Sequence, residues 1–169
     1  LERTLKIDTI VFDKTGTLTK GEPELTNVIP LADLREEEVL AIAASAEKGS
    51  EHPLGEAIVK GAQARNLIIG DSEGFSSIAG KGVEANVKGS RILLGTRKLM
   101  EDNDITISST EKKMEELEAQ GKTAMIAARD GSVIGLVAVA DTLKENSGEA
   151  VEKIREMGIE VVMITGDNR

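Results

Sequence analysis

The distribution of apolar and polar residues divides the chain into two textures. Ile7 to Phe12 is a short β-branched run bounded by polar residues, which predicts a strand. Gly21 and Pro23 predict a turn or crossing point beyond it. Glu36 to Lys48 (EEEVLAIAASAEK) has apolar residues at helical spacing, acids in its first turn and Gly49 past its end, so it predicts a helix. Pro53 to Arg65 (PLGEAIVKGAQAR) predicts a second helix, with proline in the first turn, where its missing N–H costs little. From Glu73 to Thr96 the segments FSSIAG, GVEANV and RILLG are short and separated by glycines, the pattern of an antiparallel meander.

A short helix is predicted over Arg97 to Asn103 and a longer, exposed one over Thr110 to Gln120, closed by Gly121. TAMIAAR and SVIGLVAVA flank Asp130-Gly131, a strong hairpin signal. Ser147 to Met157 predicts a helix stopped by Gly158, and Ile159 to Ile164 a strand running into Thr165-Gly166-Asp167. The two ends thus resemble βα units of a parallel sheet, and the middle resembles helices on an antiparallel sheet. One arrangement reconciles them: an α+β domain, residues 24–138, inserted into a doubly wound α/β domain made of residues 1–23 and 139–169. The crossings are expected near Gly21–Glu24 and Ala138–Asp141.

Composition narrows the function classes. With 169 residues and 40% hydrophobic content the chain can build a core, and no apolar run approaches the length of a membrane span. Zero cysteines exclude disulfides and thiolate metal sites. A net charge of −9 argues against nucleic-acid partners, and with only Phe12 and Phe75 as aromatics there is no base-stacking platform. The same charge requires that any anionic ligand be held by local groups. LERTLKIDTI lacks the features of a signal peptide and reads as a start in mid-chain.

The chemistry centres on FDKTGTLT, residues 12–19. In an open parallel sheet, ligands gather at the carboxyl ends of strands, and Asp13 and Thr165 both fall at such ends. Gly16 allows a tight turn whose N–H groups can cradle phosphate oxygens. Thr15, Thr17 and Thr165 supply hydroxyls, and Lys14 supplies positive charge. Asp13 is the candidate nucleophile, because carboxylates form acyl phosphates, and its attack on an anionic phosphoryl group calls for a divalent metal.

DKTGTLT resembles the phosphorylation motif of the P-type ATPases, cation pumps with a haloacid-dehalogenase-like, Rossmann-like phosphorylation domain. MITGDN resembles their second motif, which brings in Gly166 and Asp167, and VADTLKE resembles the segment returning from the nucleotide domain. Phosphatases of that superfamily carry a second aspartate two positions after the nucleophile, where this chain has Thr15. Without that base the aspartyl phosphate should be long-lived, as a pump requires.

SEHPL, containing the sole histidine, His52, resembles the histidine–proline signature of the heavy-metal branch, in which the histidine orients ATP. The matching nucleotide positions are Glu47, Gly80 and Gly82 of AGKGV, and Gly95 of LLGTR, while Thr96 departs from the branch's frequent Gly-Asn. Glycine there would let a base or phosphate approach the backbone. Lys60-Gly61-Ala62 lies in a helical pattern and Gly121-Lys122-Thr123 lacks the earlier P-loop glycine, Glu116 standing in its place, so neither is assigned a role.

The resemblance implies ATP and Mg2+ as ligands, with Asp13 and the Thr15 carbonyl as an incomplete magnesium site. It implies that this is the cytoplasmic part of an integral membrane heavy-metal exporter, with Cu(I) as cargo. Its phosphorylation domain would be truncated, the later acidic motif, actuator and membrane helices being partners elsewhere in the parent chain. The fragment alone is expected to bind ATP with little or no turnover. The rivals are a soluble aspartate-dependent phosphatase, a Zn/Cd/Pb pump, and a stand-alone nucleotide-binding module.

Overall fold

A computed structural model describes residues 7–164, with Lys14 and Thr15 as backbone only. The chain divides into two compact units, one formed by the N-terminal segment up to Glu22 and the C-terminal segment from Asp141, the other by Pro23–Ala140. Among the described residues no helix is long and apolar enough to cross a membrane.

In the first unit, β1 (Thr9–Asp13) pairs in parallel with β8 (Glu160–Ile164), and α5 (Ser147–Glu156) precedes β8. The Cα partners run from Thr9 opposite Glu160 to Asp13 opposite Ile164. The apolar runs in both strands predict burial, yet Val11, Met163 and Ile164 are all more than half exposed. This sheet has two strands among the described residues, which leaves apolar side chains uncovered. A π-helical turn, Lys14–Leu18, follows β1.

The second unit is built on a six-stranded sheet ordered β2-β7-β6-β5-β4-β3. Its strands are β2 (Thr19–Pro30), β3 (Ser72–Ile78), β4 (Gly82–Val87), β5 (Ser90–Gly95), β6 (Thr123–Arg129) and β7 (Ser132–Leu143). Gly21 and Pro23, expected as a turn or crossing point, form no turn but lie in the long strand β2, along which the chain crosses from the first unit to the second between Glu22 and Pro23, and β7 returns. Gly21 sits at φ 80°, and Pro23 is tolerated because β2 is an edge strand, where a missing N–H need not break a ladder. The β6–β7 turn has Asp130 at φ 50° and Gly131 at φ 83°, both left-handed as a tight hairpin demands.

Helices α1 (Glu36–Glu47) and α2 (Pro53–Ala64) contribute to a core with Leu94, Ala127 and Val137. Helices α3 (Arg97–Glu101) and α4 (Glu111–Glu118) contribute to another with Leu93, Ile126 and Leu136. Successive residues of β5, β6 and β7 therefore point into different cores. That is why AMIAA and IGLVAVA are unbroken apolar runs rather than alternating ones. Each fully buried Leu, Ile or Val contributes about 1.5–3 kcal/mol by leaving water. Three glutamates in the first turn of α1 favour the helix dipole, and Glu38 closes it by accepting the Arg35 N–H at 2.9 Å.

Candidate functional site

In the first unit the backbone of Asp13 lies beside that of Ile164 at the carboxyl end of the parallel pair, with Asp13 exposed. Thr17 is exposed on the turn that follows. The turn is fixed by the returning segment. Gly16 N–H donates to Thr19 Oγ1 at 3.0 Å, and the Thr19 hydroxyl donates to Asp141 Oδ2 at 2.5 Å. Gly21 N–H donates to Asp141 Oδ1 at 2.9 Å, and Lys144 Nζ donates to the Gly16 carbonyl at 2.7 Å. Ser147 Oγ and the Lys144 N–H both donate to the Leu18 carbonyl. Sequence reasoning found this returning segment but missed Asp141 and Lys144 as anchors; an acid at the end of a long apolar strand was the available signal. Thr165, Gly166 and Asp167 lie outside the described residues, as do the side chains of Lys14 and Thr15.

The described residues hold no cluster of three or more His, Cys, Asp or Glu side chains suited to a metal. Asp13 offers hard carboxylate oxygens, which suit magnesium, an ion that readily keeps water and phosphate oxygens as its remaining ligands.

In the second unit Glu47, His52, Gly80, Gly82 and Gly95 all line one pocket of about 250 Å³. Glu47 ends α1 and is 5% exposed, and its Oε2 has no hydrogen-bond partner among the described residues. Burial pushes its carboxyl above the ordinary range, while the Ser50 hydroxyl and the His52 ring pull less strongly the other way. His52 caps α2: its Nδ1 accepts the Leu54 N–H at 3.2 Å, and its own N–H donates to Ser50 Oγ at 3.2 Å. With Nδ1 accepting, the neutral ring carries its proton on Nε2.

The glycines have backbone reasons of their own. Gly82 on β4 opposes Gly95 on β5. A Cβ on Gly82 would fall on the Leu94 carbonyl oxygen, and one on Gly95 on the Lys81 carbonyl oxygen. Close strand contact explains both, beyond the ligand approach expected for them. Gly80 turns at φ 69° in open space. Thr96 spends its side chain capping α3, accepting the Leu99 N–H at 3.4 Å. Ser50 of SEHPL, Lys81 of AGKGV, Ile78, Thr123 and Met125 also line the pocket, although sequence reasoning assigned them no role there. The Lys60-Gly61-Ala62 triplet lies inside α2, where Gly61 makes room for Leu25.

A family model described as haloacid dehalogenase-like hydrolase matches residues 7–169. The chain belongs to the haloacid dehalogenase-like hydrolases. Among curated proteins it is similar to the copper-exporting P-type ATPase of Bacillus subtilis (strain 168), at 50% identity over 169 residues. That match covers 100% of this chain and 21% of the relative, so the chain spans about a fifth of the relative's length. Among solved structures, a zinc-transporting PIB-type ATPase in its E2.Pi state superposes with a TM-score of 0.87 at 35% identity. It covers 96% of this chain and 26% of that one. The catalytic domain of the CPx-ATPase CopB-B, solved in a study of conformational changes upon nucleotide binding, gives 0.68 at 27% identity. There the match covers 99% of this chain and 57% of the other. This haloacid dehalogenase-like chain thus joins a parallel strand pair ending in Asp13 to a unit carrying the Glu47–His52 pocket.

Proposed function

We propose that this chain is the ATP-binding and phosphorylation region of an ATP-driven heavy-metal exporter, with Cu(I) as the cargo and Asp13 as the phosphoryl acceptor. The observation that carries this reading is the buried, unpartnered Glu47 Oε2 in a pocket that also holds His52. Leu54, Ile78, Val83 and Met125 make that pocket largely apolar. An adenine ring has apolar faces and an amino donor on its edge, and complements such a wall. Glu47 Oε2 would accept from the amino group, while His52 Nε2–H faces the nucleotide as donor.

In the proposed chemistry, Asp13 attacks the γ-phosphorus, the bond to the β–γ bridging oxygen breaks, and ADP leaves. Water then attacks the acyl phosphate and releases inorganic phosphate. Bound magnesium would offset the repulsion between the carboxylate and the phosphoryl oxygens, held by Asp13 and the Thr15 carbonyl. Lys14, Thr17, Thr165, Gly166 and Asp167 would surround the transferred group. Thr15, in place of a second aspartate, withholds a general base and keeps the acyl phosphate alive for a conformational change. Copper as cargo is favoured by the curated relatives, which at 43–50% identity carry the names of copper-exporting or probable copper-exporting P-type ATPases. The complete protein would be a membrane pump with this region facing the cytoplasm.

A generic phosphate monoester separates this reading from a soluble phosphatase. The chain is expected to bind ATP with magnesium and to leave the ester intact, with little Asp13 labelling from labelled ATP. Brisk ester hydrolysis would move the assignment to a phosphatase.

A further inference from the structure

The Glu47–His52 pocket shares Thr96, Thr123 and Ala124 with a second concavity, which is lined also by Arg97, Glu118 and Lys122. A nucleotide whose base fills the first pocket must direct its phosphates out of it. In a chain of net charge −9 they need a local cation. Lysine and arginine enter the two linings as Lys81, Arg97 and Lys122. Lys81 is already paired with Asp102 at 2.6 Å. Arg97 is held by Glu111 at 2.9 Å and by Glu118 at 2.6 Å, a double pairing that holds its pKa far above the usual guanidinium value.

Lys122 differs. Its Nζ donates at 2.7 Å to Asn27 Oδ1, a neutral amide oxygen, and no carboxylate among the described residues lies within ion-pair distance of it. Its position is nonetheless fixed, because its N–H donates to the Leu117 carbonyl at 3.2 Å and the residue is half-buried. Thr123, the next residue, pairs with Val139, so Lys122 stands at the end of the sheet where β7 leaves the unit. Exchanging an amide oxygen for a phosphate oxygen replaces a neutral hydrogen bond with a charge-assisted one. Arg97 or Lys81 would have to surrender carboxylates to do the same.

We propose that Lys122 contacts the phosphates of the bound nucleotide, an inference that rests on reading the adjoining pocket as an adenine-nucleotide site. Gly121-Lys122-Thr123 lacks the earlier P-loop glycine, and its backbone leads into strand β6 rather than opening a helix. The ammonium can still act as a point charge at the rim.

Calorimetric titration of the chain with ATP and, separately, with adenosine tests this in wild type, Lys122→Ala and Lys122→Arg. Lys122→Ala is expected to weaken ATP by about tenfold or more and to leave adenosine unchanged, with Lys122→Arg recovering most of the loss. The salt dependence of ATP binding should also flatten in Lys122→Ala. Unchanged ATP affinity in Lys122→Ala, or equal losses for ATP and adenosine, would overturn the role of Lys122 and leave the pocket's reading in place. A wild-type chain that binds neither ligand would instead remove that reading, and this inference with it.

Discussion

Thr19 and Asp141 are joined by a 2.5 Å hydrogen bond although 122 positions separate them. Thr19 is almost fully buried, and its oxygen also accepts the Gly16 N–H, while Lys144 holds the Gly16 carbonyl. Both polar backbone groups of Gly16 are thereby fixed, and the turn after Asp13 takes its shape from the far end of the chain.

Asp141→Ala is therefore predicted to destabilise the chain by about 1–3 kcal/mol, by leaving the Thr19 hydroxyl and the Gly21 N–H without their acceptor. Thr19→Val should cost a similar amount, and the double variant less than the sum. Denaturant unfolding of all three measures the coupling. Strict additivity would mean that the pair does not interact.

The glycines facing each other across β4 and β5 predict a contrast. Gly95→Ala drives a methyl group into the Lys81 carbonyl and should cost more than the roughly 1–3 kcal/mol of ordinary overpacking. Gly80→Ala meets open space and bears only the left-handed backbone cost, about 1–2 kcal/mol. Thermal melts should rank Gly95→Ala well below Gly80→Ala, and the reverse order would contradict the strand-contact reading.

Much of this architecture was legible because local signals and tertiary environment agree. The helices over EEEVLAIAASAEK and PLGEAIVKGAQAR and the Asp130-Gly131 hairpin occur as their periodicity and turn chemistry predict. Strand β2 was not legible. Its apolar positions are sparse, and Gly21 and Pro23 signal a turn in any local reading; only its place at the sheet edge makes them compatible with a strand. Among the site residues, Glu47, His52, Gly80, Gly82 and Gly95 reach one pocket. Ser50 of SEHPL stands two residues from His52 and could have been included; Thr123 was dismissed with the failed P-loop match, because its place at the pocket depends on which strands lie side by side.

Glu47 predicts a pH effect of defined sign. Burial raises its folded-state pKa above the ordinary value of 4.5, so the ionised form is penalised in the folded state. That penalty is complete above the raised value and is relieved as the pH falls through it. Glu47→Gln cannot ionise, and should stabilise the chain more at about pH 7.5 than at about pH 5. Melting temperatures of both proteins across that range test this; a difference that does not change with pH would contradict it.

The proposed nucleotide pocket is tested most directly by titrating the chain with ATP and magnesium in a calorimeter, comparing wild type with His52→Gln. Saturable binding to wild type, weakened by about tenfold when the imidazole fixed by the Leu54 N–H is exchanged for a flexible amide, is the expected result. Equal affinity for the two proteins would contradict the placement of ATP between Glu47 and His52.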